Sequence, residues 1–464
     1  MVAATLVAGL LAQQAQPLQQ SSNPFFGSVP KGTVTAEALN LSAADAVQRA
    51  LQANLGLLLQ EETEAGAHGA RWRALADLLP NVAASMRGSR QVINLEAYGF
   101  PAADPIVGPF NVFDARIAVS QPVIDLSALN EKRAADARQQ AAKYGVRSAR
   151  DLVVLVAVNL YLETVSAASR VESVHAQQQT SETLLTQAQD LKSAGLVAGI
   201  DVLRAQVQTQ TQRQRAIAAE NEYEKLKLQL KRAVGIPVGQ TITLTDAMPY
   251  APLPPPALEA AVQSALDQRP DYLAAKSQLE AAQATRQAAR MALLPSLRLD
   301  GDWGAIGQTV AAAANTYSIA ATVRVPIFDS GRITARRIES DSALRQREAE
   351  LADMHGRIEY EVRSALLDLT AADQQVQAAR TNTDLAGQQL QQARDRFGAG
   401  VADNLELTQA QEAVAAASDA YISALYAHNV AKASLAEALG IGEAAVTQYL
   451  GGPVLRSPRE GGRQ

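Results

Sequence analysis

Arg394, Asp395 and Arg396 precede a glycine pair, Gly398 and Gly400, and Asp403 and Glu406 follow it. A second pair, Gly195 and Gly199, flanks Leu196 and leads into Asp201 in the same way. Charges gathered at a glycine-rich turn can cap the next helix, complement its dipole or pair across the turn. They are not bond-breaking apparatus. The four histidines, His68, His175, His355 and His428, are far apart, and none forms a metal-ligand pair. No Gly-x-Ser-x-Gly, phosphate-binding glycine loop or His-Glu-x-x-His occurs. His428 falls on an apolar helical seam, where packing accounts for it. The residues imply no enzyme, no metal and no cofactor.

Composition narrows the classes further. The chain has 464 residues, 47% hydrophobic and 4% aromatic, with no cysteine. Disulfides, thiolate sites and a lipidated cysteine are therefore excluded within it. Its net charge of −5 gives no surplus to recommend a nucleic-acid partner. The longest apolar candidate, residues 152–162, is 11 residues with Asn159 inside it, too short for a membrane helix. Residues 2–12 are small and apolar, so residues 1–15 read as a secretory signal segment lacking its basic leader, with cleavage after Ala12 or Ala15. Residues 16–40 read as a linker and 451–464 as a flexible tail.

The chain is a tandem duplication. Ala46-Val-Gln-Arg-Ala-Leu51 recurs as Ala261-Val-Gln-Ser-Ala-Leu266, and Leu78-Leu-Pro80 as Leu293-Leu-Pro295, both at an offset of 215. Farther on, Gly195, Asp201, Ala205-Gln206 and Gly235-Ile236 return 205 residues later as Gly400, Glu406, Ala410-Gln411 and Gly440-Ile441. The copies span 41–236 and 257–450, joined by a proline-rich linker at 237–256.

Each copy must position its glycine turn with long helices. Ile358, Val362, Ala365, Leu369, Ala372 and Val376 step 4-3-4-3, and the pattern continues to Phe397. Leu407, Ala410, Val414, Ala417, Tyr421, Ala424, His428, Ala431, Leu435 and Ala438 repeat it on the return. A sustained seven-residue period means supercoiled helices, so each copy holds a coiled-coil hairpin. The outgoing arm of 68 residues would extend roughly 100 Å, and the return arm of 34 about half as far. A first helix, 41–79 or 257–294, would stack on the return helix to complete the coil.

Between first helix and hairpin, alternation predicts strands at about 82–90 and 113–121, then 296–303 and 317–325. In the second copy Leu297, Leu299 and Trp303 share one face, and Tyr317, Ile319, Val323 and Val325 another. The helices spend their seams on each other, so these faces suit lipid, and a lipid-facing sheet must close between chains. Phe100, Phe110, Phe113, Trp303, Tyr317 and Phe328 are expected at strand ends or loops, as interfacial girdles.

Over about residues 41–450 the sequence resembles the TolC-type outer-membrane efflux channel family. The duplicated Ala-Val-Gln-x-Ala-Leu openings, Leu-Leu-Pro before a strand, and Val325-Pro-Ile-Phe-Asp-Ser-Gly331 carry the likeness. So do Arg396-Phe-Gly-Ala-Gly-Val401 and Glu406-Leu-Thr-Gln-Ala-Gln411. The resemblance implies a mainly α chain with a β-barrel part, three copies closing a 12-strand barrel on a 12-helix tunnel. It implies an outer-membrane location with a long periplasmic part and export in a tripartite efflux or type I secretion system. The partners would be two further copies, outer-membrane lipid, a periplasmic adaptor (membrane-fusion) protein and an inner-membrane pump. Gly195, Leu196, Gly199, Asp201, Gly400 and Val401 would form the tip that meets the adaptor. Glu406, with Asp403 as a substitute, would narrow the pore, Gln409 standing where a second acid is usual. Arg394 and Arg396 would be gate links if they reach a neighbouring hairpin. A periplasmic coiled-coil scaffold without a barrel is the alternative.

Overall fold

A computed structural model describes residues 23–101, 103–248, 250–399, 401 and 404–445. The signal segment at 1–15 and the tail at 451–464 lie outside the described residues. The elements run β1 (Leu39–Leu41), α1 (Ala43–Ala53), α2 (Leu55–Ala76), β2 (Asn81–Asn94), β3 (Ile106–Ile124), α3 (Leu126–Ser193), α4 (Gly199–Val234) and β4 (Ile242–Leu244). The second copy adds α5 (Leu258–Gln268), α6 (Pro270–Met291), β5 (Ser296–Gly307), β6 (Ala314–Arg324), α7 (Arg332–Gly398) and α8 (Asn404–Ala438).

The opening helix of each copy is broken in two, where periodicity predicts one. In the second copy Arg269 turns extended, with φ −61° and ψ 120°. Pro270 forces this, because its ring disfavours the helical conformation in the preceding residue. The first copy has no proline there. Asn54 makes the same break at φ −63° and ψ 129°, and its amide donates to the Phe25 carbonyl at 2.7 Å. Its Oδ1 accepts the Leu57 N–H at 3.3 Å and caps α2. A left-handed glycine faces each break. A Cβ on Gly235 (φ +78°) would lie 2.4 Å from Ala53 Cβ, and one on Gly440 (φ +73°) 2.7 Å from Arg269 Cα. Conformation and space both demand glycine there.

The hairpin arms are continuous helices of 68 and 36 residues in the first copy and 67 and 35 in the second. Their seams are buried as the heptads require: Ile358, Val362, Leu369 and Val376 on α7, and Leu407, Ala410, Ala417 and Leu435 on α8. Thr383 donates across the α7–α8 seam to the Ala417 carbonyl at 3.2 Å. One stretch of α3 is long and apolar enough to cross a membrane, contrary to the sequence expectation. Val153, Val154, Ala157, Val158 and Tyr161 are instead packed against Leu41, Val47, Leu230 and Ile242. Its apolarity is that of a core.

The joining segments are also structured. β1 and β4 form a parallel pair, with Leu39 beside Ile242 and Leu41 beside Leu244. Tyr161 holds it, its hydroxyl donating to the Leu41 carbonyl and to Asp246, both at 3.0 Å.

The four remaining strands make an antiparallel sheet in the order β2–β3–β5–β6, so the copies meet at β3–β5. Each strand is longer than its alternation suggested, because Gly88, Gly301 and Gly304 interrupt the apolar signal without interrupting pairing. Phe110, Phe113, Trp303 and Tyr317, expected at strand ends, lie within strands, and Trp303 sits opposite Tyr317. Phe328 follows β6 and is exposed.

Contacts divide the chain into two compact units, and neither is a repeat. One comprises Thr63–Lys143 and Ala274–Asp353, with the sheet. The other takes the remaining described residues, including both hairpin ends. Each unit draws on both copies.

Candidate functional site

At the first hairpin end, α3 stops at Ser193 and Gly195 turns left-handed at φ +77°. The Leu196 N–H donates back to the Leu191 carbonyl at 2.9 Å, leaving its side chain 71% exposed. Ala198, extended and without a side-chain bond, stands at the N-cap of α4, which starts at Gly199. Asp201 therefore does not cap. It lies in the first turn, where its charge complements the helix dipole, and pairs with Arg204 at 3.4 Å.

The second end repeats the plan. The Val401 N–H donates to the Arg396 carbonyl at 3.0 Å, and Val401 is exposed as Leu196 is. Gly400 and Asp403 lie outside the described residues. Ile200 and Leu405 occupy matching places in the first turns of α4 and α8, both exposed. Each end thus presents an apolar pair to solvent. Beneath them Leu184, Ala393, Phe397, Leu407 and Ala410 form a small core joining α3, α7 and α8.

Of the charges around Gly398, the structure joins Arg396 to Glu406, Nε to Oε1 at 3.2 Å. The contact crosses the turn of one hairpin. Arg394 is not part of it: half-buried, its Nε has no hydrogen-bond partner among the described residues. Farther along α8, Glu412 accepts Gln208 Nε2 at 2.8 Å and pairs with Arg215 at 3.0 Å. Burial raises the Glu412 carboxyl, and these two α4 partners outweigh it, leaving the group below its ordinary value. No local pattern announced this link, since its partners lie about 200 residues away.

Beyond α8 the chain is clasped to α3. Arg150 holds Glu443 through two contacts at 2.6 and 2.9 Å, and Asp151 accepts the Glu443 N–H at 3.0 Å. Burial, with the Glu443 and Glu437 charges, pushes the Asp151 carboxyl up to about 6 against the opposing N–H bond and Arg150. A raised carboxyl favours the fold while neutral, and that contribution is lost as pH rises through about 6. Wild type should lose about 3 kcal/mol at this residue between its unfolded pKa and neutrality. Asp151→Asn should flatten that dependence, read from denaturant midpoints at acid and neutral pH. Parallel pH profiles for the two proteins would refute the assignment.

The sheet's register sorts its residues into two unlike faces. Opposite residues share a face. One carries Val82, Ala84 and Met86, then Ala115, Ile117 and Val119, then Leu297, Leu299 and Trp303, then Tyr317, Ile319 and Val323. Most of these are exposed, Ile319 at 81%. Val325 lies just beyond β6, also exposed. The opposite face carries Arg87, Asp114, Arg116, Arg298, Asp300, Asp302 and Arg324. Arg116 bridges Asp114 and Asp302 at 2.6 and 2.7 Å, and Ser120 donates to Asp300 at 2.6 Å. Gly304 makes room for Arg116, because a Cβ there would lie 2.7 Å from the arginine Cα. All the lipid-facing candidates in the strands therefore fall together, opposite every charge named here; Arg90, near the far end of β2, is the charged residue on their own face.

Residues 261–441, nearly all of the second copy, match the family described as "Outer membrane efflux protein". The outer membrane protein OprJ of Pseudomonas aeruginosa is 28% identical over 184 residues, 38% of each chain, so the match spans well under half of that relative. The pyoverdine export outer membrane protein OpmQ of Pseudomonas putida is 24% identical over 379 residues, 79% of each. Among solved structures, the CmeC outer membrane channel of Campylobacter jejuni superposes with a TM-score of 0.78 at 18% identity, covering 90% of this chain and 92% of that one. Residues 261–441 are thus similar to the outer membrane efflux protein family, and the chain as a whole has the fold of solved outer-membrane channels.

Proposed function

We propose that three copies assemble into a passive export conduit through the outer membrane and the periplasm. The sheet carries the argument: an exposed apolar face, a charged face, and two open edges at β2 and β6. Lipid satisfies the apolar face but cannot satisfy an edge, so the edges must pair between copies. Three four-stranded sheets then give twelve strands, with the charges lining water. The barrel itself supplies the membrane attachment. Energy comes from an inner-membrane pump, reached through a periplasmic adaptor. The system is a tripartite efflux or type I secretion machine. The names of the pyoverdine export protein OpmQ and the alkaline protease secretion protein AprF support the export role, and that of OprJ supports the outer-membrane location.

The hairpin ends are the adaptor-facing tip. Leu196, Val401, Ile200 and Leu405 offer it apolar contacts, and Gly195, Gly199 and Gly400 permit the reversals. Three Glu406 carboxylates, or Asp403 in their stead, ring the opening and favour cations. Arg396 restrains Glu406 from within the hairpin, and Arg394 is the second gate residue. Arg396→Ala and Arg394→Ala should each raise resting conductance in planar bilayers, and unchanged conductance would remove that arginine from the gate.

Envelope fractionation and a detergent-corrected mass test the whole proposal. The expected result is an outer-membrane particle of three 49.1 kDa chains. A monomer or dimer in the periplasmic fraction would reject the barrel.

A further inference from the structure

The charged face of the sheet is layered, and its layers carry different net charge. Counting rungs from the helical end, Arg324 lies opposite Ser296, Arg298 opposite Thr322, Asp300 opposite Ser120, and Asp302 opposite Ala118. Arg116 and Asp114 come next, with Arg87 opposite Asp114. Successive rungs on one face are about 7 Å apart. In the middle layers Arg116 and Arg87 stand against Asp114 and Asp302, and Arg116 reaches both carboxylates. At the helical end the charges are not matched. Arg298 and Arg324 are exposed and have no ion-pair partner among the described residues. The carboxylate on the next rung, Asp300, has Oδ1 already engaged by Ser120.

We infer that the junction between strands and helices is a cationic ring that favours negatively charged cargo, such as carboxylates and phosphates, over cations. This rests on the channel reading above, in which the charged face lines the lumen and three copies meet around it. Two guanidinium groups per chain, on adjacent rungs, then place six across two neighbouring levels, against three Asp300 carboxylates on the next. Walls of one sign that bound a water-filled passage concentrate ions of the other sign, the more so at low salt, where the screening length is about 30 Å. Arginine suits this role because its charge persists at every accessible pH and its fork binds carboxylate and phosphate in two-point fashion.

Reversal potentials in planar bilayers under a dilute potassium chloride gradient test this, with citrate added on the side of the strand-connecting loops as a multivalent probe. Wild type, Arg298→Ser/Arg324→Ser and Arg298→Lys/Arg324→Lys would be compared, each first checked as the same oligomer by mass. The serine pair should lower the chloride-to-potassium permeability ratio at least about threefold and abolish citrate block, while the lysine pair keeps both near wild type. Equal ratios and equal citrate block in wild type and the serine pair would overturn the ring and leave the channel standing. Absence of conductance in all three would remove the channel itself, and the ring with it.

Discussion

Arg269→Met is expected to cost about 3–5 kcal/mol of stability, more than any truncation of a single seam alanine. Arg269 is 5% exposed, and its guanidinium satisfies Asp271 through two contacts, at 3.0 and 2.7 Å. It also reaches Glu361 on α7 at 2.5 Å and the Ala438 carbonyl near the end of α8 at 3.5 Å. One side chain thus ties the α5–α6 break to both arms of the second hairpin. Burial alone would raise the Asp271 carboxyl, and the Arg269 hydrogen bonds and charge more than reverse this, holding it below its ordinary value. Glu437 close by is raised, by burial first, with Arg269 as its leading compensation. Without the arginine, three acids share a buried site with their main counter-charge gone. The triple variant Arg269→Met/Asp271→Asn/Glu361→Gln should recover most of the loss, since removing charges together costs far less than stranding them. Denaturant unfolding of the detergent-extracted protein measures both. If the single variant unfolds with the wild type, the cluster is only a surface decoration of the break.

That cluster marks where legibility in the sequence ends. Pro270 announces a break, and Arg269 and Asp271 are visible neighbours, yet nothing local points to Glu361, 92 residues on. Period and offset, by contrast, are properties of a sequence. The heptads from Ile358 to Phe397 located the α7 seam because every buried position repeats, and duplication transferred that reading to the first copy. Leu39–Leu41 and Ile242–Leu244 were missed because three-residue strands carry no period, and they lie in stretches that read as linkers. The division into compact units was also invisible, because it cuts across both repeats: a duplicated sequence unit need not be a packing unit. At the hairpin end the charges of Arg396 and Glu406 were evident, but pairing within one hairpin rather than toward a neighbour is a matter of turn geometry. Asp201 was a reasonable cap by type. Its N–H, bonded to the Ala198 carbonyl at 3.1 Å, places it inside the first turn instead.

Ile319→Arg should abolish assembly in the outer membrane, whereas Ala320→Arg, one residue along the same strand, should be tolerated. Ile319 lies opposite Gly301 on the apolar face, and Ala320 lies opposite Asp300 on the charged one. A single-residue step along a strand exchanges faces, so the two variants differ in environment and little else. Arginine facing lipid at mid-depth costs about 2–4 kcal/mol. In the proposed barrel of three copies that penalty would be imposed three times, comparable with the entire stability of an ordinary domain. The arginine at 320 enters water beside a carboxylate and meets no such penalty. Val323→Arg should behave as Ile319→Arg does, more weakly, because position 323 lies nearer the strand's end, where the cost falls. The measurement is the amount of trimer recovered from outer-membrane fractions. A soluble scaffold predicts otherwise: Ile319 is 81% exposed in the single chain, and an exposed side chain in water accepts arginine at almost no cost. Equal recovery of the two variants would therefore remove lipid from the apolar face, and the unpaired edges of β2 and β6 would have to be covered by some other protein.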